Sequence, residues 1–417
     1  MKPALAVAAV AAAVYLPSLA GVFQFDDYNV IVNYPTVHSW GALFERAGGG
    51  VRPLLKASYA FNWTLGGGFS LFNIALHAMN AALLFLIGDL LFRDRRAAFF
   101  AALLFALHPA ATEAVTYISG RSSSLMAMFY LGAMLAYLRG AHWSISAALF
   151  VLAVATRETA VTLPAALLLC ELCRGERPAW REILRRQWAH WGLLIAGGLF
   201  VLFNQRYFDL IAYGFDERSL ADNLLTQVGG VSYLVLRLVS LHGYNIDPAL
   251  PTLTEWTPAL AFQAFFLASL FIIGVVNLRR RPWIAFGVLW FFLQLAPTNS
   301  IVPRLDVAND RQLYLASWGL FLALCIQLRN LPVLAFSIVL VFFTVASVLR
   351  QLDYRSEIVL WESSVALAPW NARGHNNLGY AYQLAGRTQE ARREYQAALL
   401  LDPAHAKARL NLHFIRD

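Results

Sequence analysis

Charge is scarce in this sequence: Asp, Glu, Lys and Arg make up 14% of its 417 residues, against roughly 25% in soluble domains. A soluble fold needs a charged exterior however large its core. This shortage, with 59% hydrophobic residues and a mean hydropathy of +0.54, excludes an ordinary soluble enzyme and a disordered chain. Cysteine is scarcer still. Cys170, Cys173 and Cys325 cannot make a disulfide framework. The Cys-x-x-Cys pair lies inside an apolar run at 167–173 without zinc or redox context, so it reads as small core residues. Also missing is any basic face with interleaved stacking aromatics, which excludes nucleic acid as the reason for the net charge of +8.

What is present is a series of apolar runs, which points to an all-α polytopic membrane protein. Candidate spans are 3–23, 72–92, 97–115, 122–138, 143–156, 159–173, 189–205, 258–278, 283–301, 313–328 and 332–350, eleven in all. The 229–241 run is shorter, contains Arg237, and is kept out of the count. Basic residues fall between the runs, at Arg93-Asp94-Arg95-Arg96, Arg139, 174–186 and Arg279-Arg280-Arg281. Placing them in the cytoplasm makes eleven crossings consistent, with the N-terminus inside and the C-terminus outside. A rival reading of the first run is a signal peptide, from Lys2 and the small residues Ser18-Leu19-Ala20. Either way the 24–71 segment is an extracytoplasmic loop.

After Arg350 the composition changes. A membrane domain of 1–350 gives way to a polar, helix-forming domain of 351–417. Leu378, Gly379, Tyr382, Gly386, Ala391, Tyr395, Ala398 and Pro403 fit one 34-residue tetratricopeptide repeat at 372–405. Trp361 and Pro369 look like the second helix of a preceding half-repeat, and Leu410 and Leu412 begin another. So few repeats are marginal alone, so the domain is expected to lean on the membrane domain, another copy or a protein partner.

Polar groups recur at the predicted outer face. Asp26 and Asp27 end the first span beneath Phe23, Phe25 and Tyr28. Arg52 and Asn62 share its loop, and Asn73 and His77 begin the second span. His108, Glu113 and Arg121 lie in the third-to-fourth connection, Arg157-Glu158 between the fifth and sixth, and Asn299 and Asp310-Arg311 between the ninth and tenth. Singly, each reads as a solvated end-marker, a snorkelling arginine or an interhelical hydrogen bond. Together, acids and arginines at one leaflet describe a cavity for an anionic substrate beside a proton-accepting centre.

The ordered motifs resemble the transmembrane and tetratricopeptide-repeat O-mannosyltransferases and their bacterial relatives, integral-membrane glycosyltransferases of the GT-C fold. The matches run from Phe25-Asp26-Asp27 and Val30-Ile31-Val32-Asn33 through Arg52-Pro53-Leu54, Phe69-Ser70-Leu71-Phe72-Asn73 with His77, and His108-Pro109 with Thr112-Glu113-Ala114-Val115. They continue through Ile118-Ser119-Gly120-Arg121, Arg157-Glu158-Thr159, Asn299-Ser300 and Asp310-Arg311-Gln312-Leu313-Tyr314-Leu315 to the repeat. Departures are Ser70 and Ala111 in place of histidines, Arg157 for lysine, Asp310 for glutamate, Ala316 for proline, and a much shorter repeat tail.

The resemblance implies a GT-C-like bundle in a bacterial inner membrane, with active site and repeat on the periplasmic side. It implies transfer of a hexose such as mannose from a polyprenyl-phosphate donor to a hydroxyl of an extracytoplasmic protein or glycan. A hydroxyl is a weak nucleophile and needs a base. Asp26 is the candidate, with Asp27 orienting acceptor or base, though the two roles are exchangeable. The departing phosphate needs cations rather than a general acid, and Arg311, Arg121, Arg52 and Arg157 are the candidates. Glu113, His108, Glu158, Asp310 and Tyr314 are supporting residues. Single displacement inverts the anomeric carbon. Some GT-C enzymes use a divalent metal and others do not. Asp26, Asp27 and Glu113 are the acids that would bind one, but no ligand spacing demands it and no cofactor is required. Competing readings are an oligosaccharide ligase or polymerase with a lipid-pyrophosphate donor, and a non-catalytic scaffold or transporter whose repeat recruits partners. A loop near 206–227 is expected to accommodate a bulky acceptor.

Overall fold

The computed structural model describes residues 1–45, 51–175 and 178–415, and every regular element among them is helical. That follows from the composition, because an apolar chain in lipid has to satisfy its backbone groups within each segment. Part of the basic 174–186 cluster, at 176–177, lies outside the described residues.

Phe69–Phe92 is the central helix, with 56% of its most apolar window buried. It packs against Lys2–Val14, Arg95–Leu107 and Arg121–Leu138. The reason is a polar stripe at helical spacing. Asn73 accepts from Arg121 (2.7 Å), His77 bonds the Tyr314 hydroxyl (2.9 Å), and Asn80 donates to Ser124 O (2.8 Å) and Tyr314 Oη (3.1 Å). In an apolar bundle such bonds fix which helices meet. Pro258–Arg280 and Val333–Asp353 are the opposite case, 11% and 17% buried along more apolar windows, so their side chains are left for lipid.

Those three helices are long and apolar enough to cross a membrane. A fourth candidate is Arg95–Leu107 with Pro109–Thr116, bent by 57°. Pro109 has no N–H to give, and His108 before it is extended at φ −75°, ψ 133°. Other runs are shorter as helices than as apolar sequence. The 3–23 run is a 13-residue helix ending at Val14, followed by a 3-10 turn, Leu16–Ala20, around Pro17. The 159–173 run starts as a 3-10 turn, Glu158–Thr162. The expected acceptor loop near 206–227 is not a loop. It forms the amphipathic Gln205–Glu217 helix and the first turns of Leu220–Val239.

The tail forms helices Glu357–Leu367, Ala372–Leu384, Thr388–Leu401 and Ala406–Phe414. The repeat closes where its small residues allow: a Cβ on Gly379 would overlap the buried Tyr395 ring. This unit does lean on the membrane domain. Its core, with Trp361, Leu378, Tyr382 and Tyr395, takes in Tyr117 and Ile246, with Phe25 packed against it.

Candidate functional site

The site end of the bundle gathers the first loop, the break after Leu107 and the Asp310–Gln312 turn. Gly120 lets the connection after Leu107 fold tightly on itself, since a Cβ there would overlap the Glu113 carbonyl oxygen. Asp27 then locks the first loop onto this turn. It is fully buried and accepts from Gln24 N (3.0 Å), Ser119 N (2.8 Å) and the Ser119 hydroxyl. Burial pushes its carboxyl up to about 7 even against those three donors.

Asp26 differs in every respect. Its backbone N–H donates to the Tyr117 hydroxyl (3.0 Å), which aims the residue, but its carboxylate has no hydrogen-bond partner among the described residues. It is half-buried. Burial raises its pKa, Arg311 opposes that, Asp306 adds to it, and Arg373 and Lys407 oppose it.

Arg311 sits beside Glu113. Its backbone N–H donates to Glu113 Oε2 (3.0 Å), its Nε lies 3.6 Å from Oε1, and Nε also donates to Asn309 (3.3 Å). Part of its guanidinium stays accessible, with 20% of the side chain exposed. A narrow cleft of about 30 Å³ separates it from Arg157, with Tyr314, Gln294 and Ser123 on the walls. Arg157 is buried, donates to the Ser122 (3.4 Å) and Ser123 hydroxyls, and leaves Nε without a partner. Its pKa falls to about 9, through burial first and then Arg52 and Arg311. Arg52 holds Glu158 through two bonds, 2.9 Å from Nε and 2.5 Å from Nη2. The Glu158 side chain is more than half exposed, and Arg52 first and then Arg157 hold its carboxyl well below the usual carboxylate range.

Sequence reasoning missed Arg304. Its guanidinium feels Glu158, Arg311, Arg52 and Asp306 and makes no hydrogen bond among the described residues. Its signal was its place in the polar 299–311 stretch. Asp306, Arg373 and Lys407 were missed too, the last two because charges on repeat helices read as solvated faces. Arg373 joins Asp247 (2.6 Å) to Asp306 (2.8 Å) and so clamps the repeat over the site. Phe25 N donates to Glu357 (2.9 Å), and the Phe25 ring meets Trp361 edge-on at 5.1 Å.

Several expected site residues are committed elsewhere. Arg121 is not available to a phosphate. It is fully buried, and its three nitrogens donate to Asn73 Oδ1 (2.7 Å), Ser58 O (3.0 Å) and Phe69 O (3.0 Å), inside the rings of Tyr59, Phe69 and Phe72. His108 caps the helix break through Ala110 N (3.2 Å) and reaches Leu238 O (3.2 Å). Asp310 accepts from Asn245 N (2.9 Å) and the Tyr233 hydroxyl (3.2 Å), and burial plus nearby Glu113 push it up to about 7. Tyr314 is tied to His77 and Asn80 while one edge lines the cleft. No group of three or more His, Cys, Asp or Glu that could hold a metal occurs among the described residues.

The arrangement is that of a helical membrane protein with a helical tail packed over the site end. Residues 51–187 match the Mannosyltransferase (PIG-V) family and residues 372–405 the Tetratricopeptide repeat. The chain is similar to protein O-mannosyl-transferases, in keeping with its ordered motifs. It is 24% identical over 94% of its length to one from Caenorhabditis elegans, covering 61% of that protein. It is 25% identical over 97% of its length to TMTC3 of Mus musculus, covering 52% of it. With Tmtc1 of Drosophila melanogaster the identity is 34%, over 42% of this chain and 23% of the relative. The chain thus spans little more than half the length of the relatives it matches end to end.

Proposed function

We propose that this protein transfers mannose from a polyprenyl-phosphate donor to a hydroxyl of an extracytoplasmic protein, with Asp26 as the base. The relatives' names supply the sugar and the protein acceptor. The observation that carries the mechanism is the contrast at 26 and 27: one acid has both carboxylate oxygens engaged by three donors, its neighbour accepts from no described residue and lies in the field of Arg311.

In this reading the acceptor hydroxyl approaches beneath the repeat, and Asp26 takes its proton as the oxygen attacks the anomeric carbon. The bond from that carbon to the phosphate oxygen breaks as the new glycosidic bond forms, with inversion. The electron pair leaves on the phosphate, held by Arg311, Arg304 and Arg157, with Arg52 reaching it through an exchange with Glu158. Arg121 acts one layer back, as a positioning residue for Asn73 and the first loop. The bundle is of GT-C type with eleven crossings, and the site end faces away from the cytoplasm in a bacterial inner membrane.

The test is incubation of the purified chain with polyprenyl-phosphate mannose or its pyrophosphate counterpart, and a protein acceptor. Inverted mannosyl product from the monophosphate donor is expected. Turnover only with the pyrophosphate donor makes the protein a ligase or polymerase, and no turnover with either makes it a scaffold.

A further inference from the structure

A large cavity among the described residues lies away from this site. It has a volume of about 860 Å³ and lies where Phe69–Phe92, Arg121–Leu138, Leu163–Cys173 and Leu313–Gln327 end, while Pro282–Leu295 begins. At the candidate active site the same helices show their other ends. The central helix of 24 residues therefore separates the two by about 36 Å.

Five arginines line this cavity: Arg93, Arg139, Arg174, Arg186 and Arg329. Buried Glu171 engages two of them, Arg186 at 2.8 Å and Arg174 at 3.9 Å, and takes a hydrogen bond from Tyr137 (2.7 Å). The other three have no ion-pair or hydrogen-bond partner for their guanidinium groups among the described residues. Two more acids line the wall, Glu182 and Asp94, and Asp94 spends one carboxylate oxygen capping Ala97 N (2.9 Å). Three exposed arginines with no internal partner among the described residues, bordering one concave, part-apolar chamber at the end of a membrane bundle, have the chemistry of a phosphate receptor. The volume is that of a headgroup-sized ligand rather than one small ion.

We propose that this cavity is a second anion site, which binds the phosphate group of an anionic lipid or a free phosphate through Arg93, Arg139 and Arg329. It stands apart from the transfer reaction and does not depend on it. None of the three arginines touches the candidate active site, so the lost ligand is read by binding alone.

The test uses the full chain in nanodiscs of phosphatidylcholine, with or without phosphatidylglycerol, and in detergent with inorganic phosphate. Lipid co-purification by native mass spectrometry and phosphate-dependent thermal shift are the readouts. The Arg93→Gln/Arg139→Gln/Arg329→Gln variant is compared with the charge-matched Arg185→Gln/Arg280→Gln/Arg281→Gln variant, whose residues do not line the cavity. The first is expected to lose binding by about tenfold or more, since each lost bond to a charged partner is worth that order, while the second keeps it. A shift with phosphate alone identifies a free anion, and retention of phosphatidylglycerol alone identifies a lipid. Equal loss in both variants means nonspecific attraction and overturns the proposal, as does no binding in either medium by the unaltered chain. Circular dichroism of both variants guards against misfolding, and single Arg139→Gln serves if the triple variant does not fold.

Discussion

Two halves of the site end use the same residue types and differ in what is left over. Around Arg121 and Asp27, three nitrogens and both carboxylate oxygens are matched to named partners in a shell closed to water. Around Arg304, Arg311 and Asp26, guanidiniums stay partly open and a carboxylate accepts nothing from the described residues. A buried charge with every bond made is costly to disturb. One held in place by its backbone, with its reactive atoms vacant, is prepared for a partner the protein does not contain. Proximity in sequence does not separate the two roles, and hydrogen-bond satisfaction does.

The largest effect expected from breaking this contrast is on transfer rate. Asp26→Asn should lower kcat by about 10²- to 10⁴-fold, the usual worth of a general base, with the melting temperature unchanged. Mannose transfer and thermal unfolding in detergent check both parts. Next is the closed side. Arg121→Met leaves the Asn73, Ser58 and Phe69 oxygens without a donor, and at 1–3 kcal/mol for each buried group the loss should be about 3 kcal/mol or more, read by denaturant unfolding.

A smaller effect sharpens the open side. Arg304→Gln removes a cation with no internal hydrogen bond, so donor KM should rise about tenfold while acceptor KM and stability stay put. The smallest is a pH effect at Asp27. Its carboxyl titrates near 3.8 when unperturbed and at about 7 in the fold, so the folded chain holds the proton more tightly. That contribution to stability is fully present below about 4 and is lost as pH rises through about 7. Asp27→Asn should therefore flatten the fall in melting temperature between these limits.

The sequence made the helical class, the repeat boundaries and the site's chain of motifs legible. Periodicity and small residues mark 372–405 because only they allow two helices to touch, as Gly379 against Tyr395 shows. Span lengths were less legible. Hydropathy is continuous through Pro17 and His108-Pro109, whereas the hydrogen-bond ladder is not. At the site, an arginine among polar neighbours looks the same whether sealed like Arg121 or open like Arg304. Burial is set by partners far along the chain, such as Ser58 and Phe69, which pattern reading does not pair. The clamp through Arg373 was hidden for the same reason.

Chemical rescue is the measurement closest to the central claim. In Asp26→Ala a cavity replaces the carboxylate, and added formate should restore mannose transfer there in proportion to its concentration, while Asp27→Ala stays unresponsive. Full transfer by Asp26→Ala without formate, or rescue confined to Asp27→Ala, contradicts the assignment.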